Sequence, residues 1–430
     1  MKKINTSPIS GAQELLPEQQ ATFNNLKNKI GEVYHAHGFL SIETPTIDRT
    51  EILFAKAGGD TEKQVYKVVK TAEAADEADQ ALRFDHTVPL ARYVVEHESD
   101  LNFPFKVTQI GRNFRGERAQ KGRFREFYQC DVDVIGRGNL PLSYDADVIT
   151  TLLDAFSKFE LGTPVLPRIN NRKILNGLLM ALGLNTKSQE VFDVIDHAEK
   201  VPLDTTKANL EAAGLNQNEI GKMIAFANLH GSRDFVIKNL KNLGIEDELY
   251  NEGVDELDAV LGLVEAQGYQ PEADMKIVRG LDYYTGTVFE FVLPEYRSIG
   301  SVCGGGRYEN LTGNFTEQKM PGVGGSIGLT RLFYVLNESG LIKNKVVKPI
   351  DYVIAPISEN EVEYAFEVAG KLREKGSSVD VVLTDKKLGD KLTYAAKIAK
   401  YGVVIGEDEV KSGALKAKDF ETGKSADLEI

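Results

Sequence analysis

Residues 110–136 read Ile-Gly-Arg-Asn-Phe-Arg-Gly-Glu-Arg-Ala-Gln-Lys-Gly-Arg-Phe-Arg-Glu-Phe-Tyr-Gln-Cys-Asp-Val-Asp-Val-Ile-Gly. The pattern is strand, loop, strand. Arg112, Arg115, Arg118, Lys121, Arg123 and Arg125 crowd positive charge around the loop of a chain whose formal net charge is −13. In the second strand a period of two puts Gln129, Asp131 and Asp133 on one face and Tyr128, Cys130, Val132 and Val134 on the other. Guanidinium groups beside such a face suit a ligand that carries phosphates together with an ammonium or imidazole group. The competing reading is an exposed hairpin laced with ion pairs, and the segments below weigh against it.

Residues 278–291 read Val-Arg-Gly-Leu-Asp-Tyr-Tyr-Thr-Gly-Thr-Val-Phe-Glu-Phe. A strand over 287–293 is preceded by a guanidinium (Arg279), a carboxylate (Asp282) and two phenols (Tyr283, Tyr284). Rigid hydrogen-bonding groups at the mouth of a sheet are suited to hold a small polar ligand with an anionic part. At Arg83-Phe84-Asp85-His86-Thr87, Asp85 and Thr87 alternate together and would point one way. Gly304-Gly305-Gly306-Arg307-Tyr308 and Gly322-Val323-Gly324-Gly325-Ser326-Ile327-Gly328 permit close approach of a planar or phosphate-bearing ligand.

The net negative charge argues against a protein that coats nucleic acid non-specifically, but leaves room for a shaped site of clustered Arg and Lys. Cys130 and Cys303 stand far apart without CxxC spacing, so neither a disulfide framework nor a structural zinc site is expected. The opening residues lack the apolar core of a signal peptide, and no apolar run is long enough to span a membrane. A cytoplasmic protein without a membrane partner is the expectation.

A helix opens at Pro17 and ends at Gly38, with a strand at 39–44 stopped by Pro45. Strands are expected at 65–69, 105–114, 127–135, 287–293 and 298–303, and helices at 90–98 and 145–159. Residues 171–268 carry apolar residues at helical spacing, punctuated by Gly214, Gly231, Gly244 and Gly268. They read as a helical domain inserted between 1–170 and 269–340. Residues 349–430 alternate as a compact α/β domain: strand 351–356, helix 359–375, strand 379–383, helix 387–401, strand 403–406 and a terminal hairpin.

Two motif matches mislead. Gly324-Gly325-Ser326-Ile327-Gly328 fits the G-x-S-x-G elbow, yet no histidine follows His230 to complete a hydrolase triad. Gly423-Lys424-Ser425 resembles the end of a P-loop, but Lys418 occupies the place of its first glycine.

Taken together the segments resemble those of histidyl-tRNA synthetases, members of class II of the aminoacyl-tRNA synthetases. Arg279-Gly280-Leu281-Asp282-Tyr283-Tyr284 and Gly304-Gly305-Gly306-Arg307-Tyr308 resemble the two histidine-specific motifs. Phe114 to Glu117 with Arg118, and Gly122 to Phe127, resemble motif 2. Residues 38–45 resemble motif 1 and residues 328–332 motif 3. The resemblance implies a catalytic domain on an antiparallel six-stranded sheet (1–170 and 269–340), the helical insertion, a C-terminal α/β anticodon-binding domain and a homodimer.

It also implies the reaction: ATP-dependent ligation of L-histidine to tRNA(His) through histidyl-adenylate, with Mg2+ accompanying the phosphates and no dedicated metal ligands. On this resemblance Arg115 holds the α-phosphate of ATP, Arg331 the γ-phosphate, and Arg123 lies near them. Glu117 reads the adenine amino group and Phe127 stacks on the ring. Asp85, Thr87 and Gln129 bind the amino group of histidine, and Asp133 and Tyr284 bracket the imidazole, with Tyr283 and Tyr308 in the same subsite. Arg279 bridges the histidine carboxylate and the α-phosphate, which makes Arg279 and Arg115 the catalytic pair. Arg118 and Gln120 face the acceptor end of tRNA. The chain departs from the family pattern at His86, where relatives carry Leu or Gly, at Ala119 in place of Pro, and at Asp133 in place of Glu. The alternative is a non-catalytic paralogue, either the regulatory subunit of ATP phosphoribosyltransferase or a tRNA sensor. Such relatives lose the ATP-binding arginines, and the regulatory subunit lacks the C-terminal domain.

Overall fold

The computed structural model of the chain describes residues 4–55, 63–72, 78–159, 161–198, 201–278, 284–342 and 348–430. There are two compact units, one of Met1–Glu14 with Leu26–Ile342 and one of Leu15–Asn25 with Lys343–Ile430. Among the described residues no helix is long and apolar enough to cross a membrane.

The strands of the first unit are β1 (Leu40–Ser41), β2 (Ile47–Arg49), β3 (Lys67–Val68), β4 (Gln80–Leu82), β5 (Phe105–Phe114), β6 (Glu126–Ile135), β7 (Leu166–Asn171), β8 (His230–Gly231), β9 (Glu272–Asp274), β10 (Tyr284–Val292), β11 (Cys303–Tyr308) and β12 (Gly322–Ile327). β2, β4 and β3 make a small antiparallel sheet. The others form one sheet in the order β1-β5-β6-β12-β11-β10-β7-β9-β8.

The expectation of six antiparallel strands is thereby corrected to nine strands of mixed direction. The stretch from β5 to β7 is antiparallel throughout. β1 joins one side in parallel, β9 joins β7 in parallel, and β8 follows. The three additions are two or three residues long, too short to show the alternation that marks a strand in sequence.

The strand expected at 298–303 is also displaced. Residues Pro294–Ile299 make 3-10 turns, and the strand is β11, running through the three glycines. Its neighbour β12 is the second glycine-rich run, with Gly305 opposite Gly325. Glycine weakens a strand, so its presence at the centre of a sheet needs another reason. A Cβ on Gly305 would lie 2.2 Å from the Gly324 carbonyl oxygen and 2.5 Å from the Phe289 ring.

Behind the sheet the helix Ser143–Ser157 buries Ile149, Leu152, Leu153 and Phe156. The Phe156 ring lies 5.9 Å from that of Phe291 on β10. Arg307 of β11 also turns to this side, where its Nη2 donates to the fully buried Asp145 at 2.7 Å. Among the described residues of 172–266 there are six α-helices and the 3-10 turn Asn185–Lys187. The outer two, Arg172–Ala181 and Glu248–Ala266, pack on one another, the first also against β10 and the second against β7 and the Ser143–Ser157 helix. Asn171 and Asp247 cap them by accepting from the backbone N–H of Lys173 and Tyr250.

The second unit carries β13 (Ile350–Pro356), β14 (Val379–Val381), β15 (Ala399–Ile405), β16 (Leu415–Asp419) and β17 (Ser425–Leu428), ordered β14-β13-β15-β16-β17. The first three are parallel, joined by the helices Val362–Glu374 and Leu388–Ile398, as parallel neighbours require. Ile354, Val368, Leu372, Val403 and Ile405 form its core. The helix expected to reach residue 401 stops at Ile398, because Ala399 is extended and pairs with Ile350. A short helix, Glu407–Ser412, was not expected.

Candidate active site

Charge divides the cleft over the β5-β6-β12-β11 face into two compartments. The outer one, about 210 Å³, is lined by Arg115, Glu117, Arg123, Phe127 and Arg331 among others. The inner one, about 120 Å³, is lined by Asp85, Thr87, Asp131, Asp133, Tyr284 and Tyr308. Arg115, Gln129, Gly304 and Ser326 belong to the walls of both.

Three guanidinium groups share the outer compartment. Arg115 lies over the Phe84 ring at 4.3 Å and the Phe127 ring at 5.0 Å, and its Nε donates to the Phe84 carbonyl at 3.3 Å. Arg331, in the first turn of the helix Leu329–Glu338, is fixed by the carbonyls of Gly122 and Ser301 at 2.9 and 3.0 Å. Arg123 pairs with Glu117 at 3.2 Å. Burial and then the charge of Arg123 push the Arg331 guanidinium below its ordinary pKa, with Arg115 adding to the effect. Such mutual repulsion is relieved by a polyanion.

The inner compartment is the opposite. Asp85, Asp131 and Asp133 are 6%, 4% and 5% exposed. Burial, followed by the charge of Asp131, pushes the Asp133 carboxyl well above the usual carboxylate range, against the hydrogen bond from Tyr308 Oη at 3.0 Å. Asp85 is raised as well, burial being the largest cause. A cation is what such a pocket favours. Asp85 and Thr87 reach it by a route other than strand alternation. β4 ends at Leu82, and Asp85 Oδ1 accepts the N–H groups of Thr87 and Val88, both at 3.1 Å, at the start of the helix Thr87–Glu96. That helix begins three residues before its expected start, with Pro89 in the first turn, where proline is tolerated.

The structure thus brings together Asp85, Thr87, Arg115, Glu117, Arg123, Phe127, Gln129, Asp133, Tyr284, Tyr308 and Arg331. Arg118 and Gln120 lie exposed on the β5–β6 loop, outside both compartments. Arg279 and Tyr283 fall outside the described residues. Asp131 and Ser326 line the inner compartment without having been given a role from sequence. Their signals were the shared face of β6 and the single hydroxyl in a run of glycines.

The family model described as histidyl-tRNA synthetase matches residues 11–332, and one described as anticodon binding domain matches residues 351–430. The histidine–tRNA ligase of Clostridium tetani is 45% identical, covering 100% of this chain and 98% of the relative. That of Clostridium acetobutylicum is 44% identical, covering 100% and 99%. The crystal structure of histidyl-tRNA synthetase from Nostoc sp. PCC 7120 superposes with a TM-score of 0.87 at 37% identity, covering 99% of this chain and 97% of that one.

The fold is that of a class II aminoacyl-tRNA synthetase with a C-terminal anticodon-binding domain. Within that class, the chain belongs to the histidyl-tRNA synthetase family.

Proposed function

We propose that the protein ligates L-histidine to tRNA(His) with ATP, by way of histidyl-adenylate, releasing AMP and diphosphate. The observation that carries the reading is the charge division of one cleft, with Arg123 and Arg331 on one side of Arg115 and three buried carboxylates on the other. Histidine brings an ammonium and an imidazole, ATP brings the phosphates, and the atoms that react would meet at the shared wall.

In the first step a histidine carboxylate oxygen attacks the α-phosphorus, and the bond to the departing diphosphate breaks. The nucleophile is already ionised at neutral pH, so no general base is needed. The barrier is anion against anion. Arg115 would neutralise the α-phosphate, Arg331 the γ-phosphate, and Arg123 would assist. Arg279 would bridge carboxylate and α-phosphate. Phe127 would stack on adenine and Glu117 accept from its amino group. Asp85, Thr87 and Gln129 would hold the ammonium group, and Asp133, Tyr283, Tyr284 and Tyr308 the imidazole. Mg2+ enters with the nucleotide as part of that substrate. In the second step a terminal ribose hydroxyl of tRNA attacks the carbonyl carbon and AMP leaves.

Exposed Arg118 and Gln120 would meet the acceptor end of the tRNA, and residues 349–430 its anticodon. Residues 1–170 and 269–340 would form the catalytic domain, with 171–268 as an insertion, in a cytoplasmic homodimer. The arginines of the outer compartment and the presence of the second unit favour the enzyme over a regulatory paralogue.

The test is ATP–pyrophosphate exchange with each of the twenty amino acids. Histidine alone should support it, because a site that hydrogen-bonds a substrate group rejects analogues lacking that group by about 10⁴–10⁵. Arg279→Ala should lower kcat for exchange by roughly 10²–10³, the loss typical of one preorganised donor, and weaken histidine binding less. Exchange at the parental rate would remove Arg279 from the mechanism.

A further inference from the structure

A chain of polar groups runs from the wall of the inner compartment into the buried interior, and apart from Gln129 the proposed reaction gives its members no role. His86 is 1% exposed, and its Nδ1 stands 3.0 Å from Asp131 Oδ2. With its ring proton on Nδ1, His86 donates to that carboxylate. The hydroxyl of Ser326 donates to the other oxygen, Asp131 Oδ1. Gln129 Nε2 donates to Ser326 Oγ at 2.8 Å, and Asn113 Nδ2 donates to Gln129 Oε1 at 2.8 Å.

Every proton in this chain points toward Asp131. That direction fixes how the Gln129 carboxamide lies. Turned over, its oxygen would claim the one hydroxyl proton of Ser326, leaving the Ser326 oxygen against the Asp131 carboxyl oxygen without a donor between them. With Asp131 accepting from both His86 and Ser326, the amide keeps Oε1 on the side away from Ser326. That oxygen has a second lone pair beyond the one used by Asn113.

His86 is an expensive way to provide one hydrogen bond. Among the described residues its buried Nε2 has no hydrogen-bond partner. The ring is seated tightly as well: a Cβ on Gly111 would lie 3.1 Å from Nε2 and 2.6 Å from Arg83 Nη2. A leucine would satisfy the same space without an orphaned nitrogen. The imidazole is therefore explained by what it does to Asp131 and not by packing.

We propose that His86 and Asp131 are positioning residues for amino-acid recognition. Together they lock the Gln129 carboxamide with its oxygen, not its NH2, toward the ammonium group of bound histidine. The proposal rests on the reading of the cleft as a histidine-activating site.

The experiment compares His86→Leu and His86→Asn with the parent in ATP–pyrophosphate exchange. The probes are histidine, its alcohol histidinol as a competitor, and imidazolepropionate, which lacks the amino group. In His86→Leu the KM for histidine and the Ki for histidinol should rise about tenfold to a hundredfold, the range for a hydrogen bond to a charged group. The KM for ATP and the Ki for imidazolepropionate should move less than about twofold. Asn carries an N–H donor near the place of Nδ1, so His86→Asn should recover most of the loss. Ser326→Ala, which cuts the chain at another point, should repeat the pattern of His86→Leu and covers the case in which the leucine variant fails to fold. An unchanged KM for histidine in a folded His86→Leu would overturn the proposal, as would equal losses for imidazolepropionate and histidinol. If the parent itself failed to exchange with histidine, the functional reading would fall and this proposal with it.

Discussion

Asp133 is placed where its own ionisation is opposed. It is buried, Asp131 and Asp85 oppose its charge, and the Tyr308 hydroxyl favours it. A carboxyl raised in the folded state costs nothing below its ordinary value of 3.8. The penalty grows as pH climbs through the interval above that value and is complete above the raised one. Asp133→Asn removes the penalty while keeping an acceptor for Tyr308. Without ligand, the variant should therefore melt above the parent at pH 8, by roughly 2–4 °C per kcal/mol relieved, and the gap should close as pH falls toward 4. Added histidine should raise the parent's melting temperature and barely move the variant's. A variant that melts lower than the parent at pH 8 would mean Asp133 is stabilised as an anion. At this scale much of the cleft was legible. Arg115 and Arg123 stood out as clustered cations in an acidic chain, and the shared face of Gln129, Asp131 and Asp133 followed from period two. The part played by Ser326 was not legible, because its meaning depends on a strand almost two hundred positions from its partners.

The two glycine strands carry the lesson at the level of elements. From sequence they read as segments that let a ligand approach closely and not as strands, since glycine disfavours strands. In the fold they are β11 and β12, and the missing side chains serve different ends on the two faces. Behind the sheet the space at Gly305 is taken by Phe289 and the backbone of β12. In front, Gly304 borders both compartments, and an added Cβ there meets nothing nearer than 3.5 Å. The same substitution should then have opposite consequences one residue apart. Gly305→Ala should destabilise by about 1–3 kcal/mol, the usual cost of overpacking, as measured by thermal or denaturant unfolding. Gly304→Ala should melt like the parent but lose about tenfold or more in histidine activation, because the methyl group enters the shared wall and displaces the reacting groups. Equal melting losses in both would refute the division of faces. Long alternating elements such as β5 and β6 were placed nearly to the residue for the converse reason: their apolar and polar positions repeat often enough to be counted.

At the scale of the molecule, the resemblance of residues 38–45 to motif 1 leads us to expect two copies in solution. Light scattering at micromolar concentration should give about twice the 47.4 kDa chain mass, and an active monomer would defeat that expectation. The order of the nine strands could not be read from sequence, since pattern announces a strand without naming its neighbour. That order has a consequence for how the protein is made. β12 is the last strand of its sheet to be synthesised, yet it lies between β6 and β11. A ribosome-bound chain that has emerged only as far as Tyr308 can build two half-sheets, one ending at β6 and the other at β11, each with an open edge. Neither half contains a usable cleft, because the inner compartment takes Gly324, Gly325 and Ser326 from the missing strand. The nascent protein must keep two sticky edges apart, and from other chains, until one short run of glycines arrives to join them.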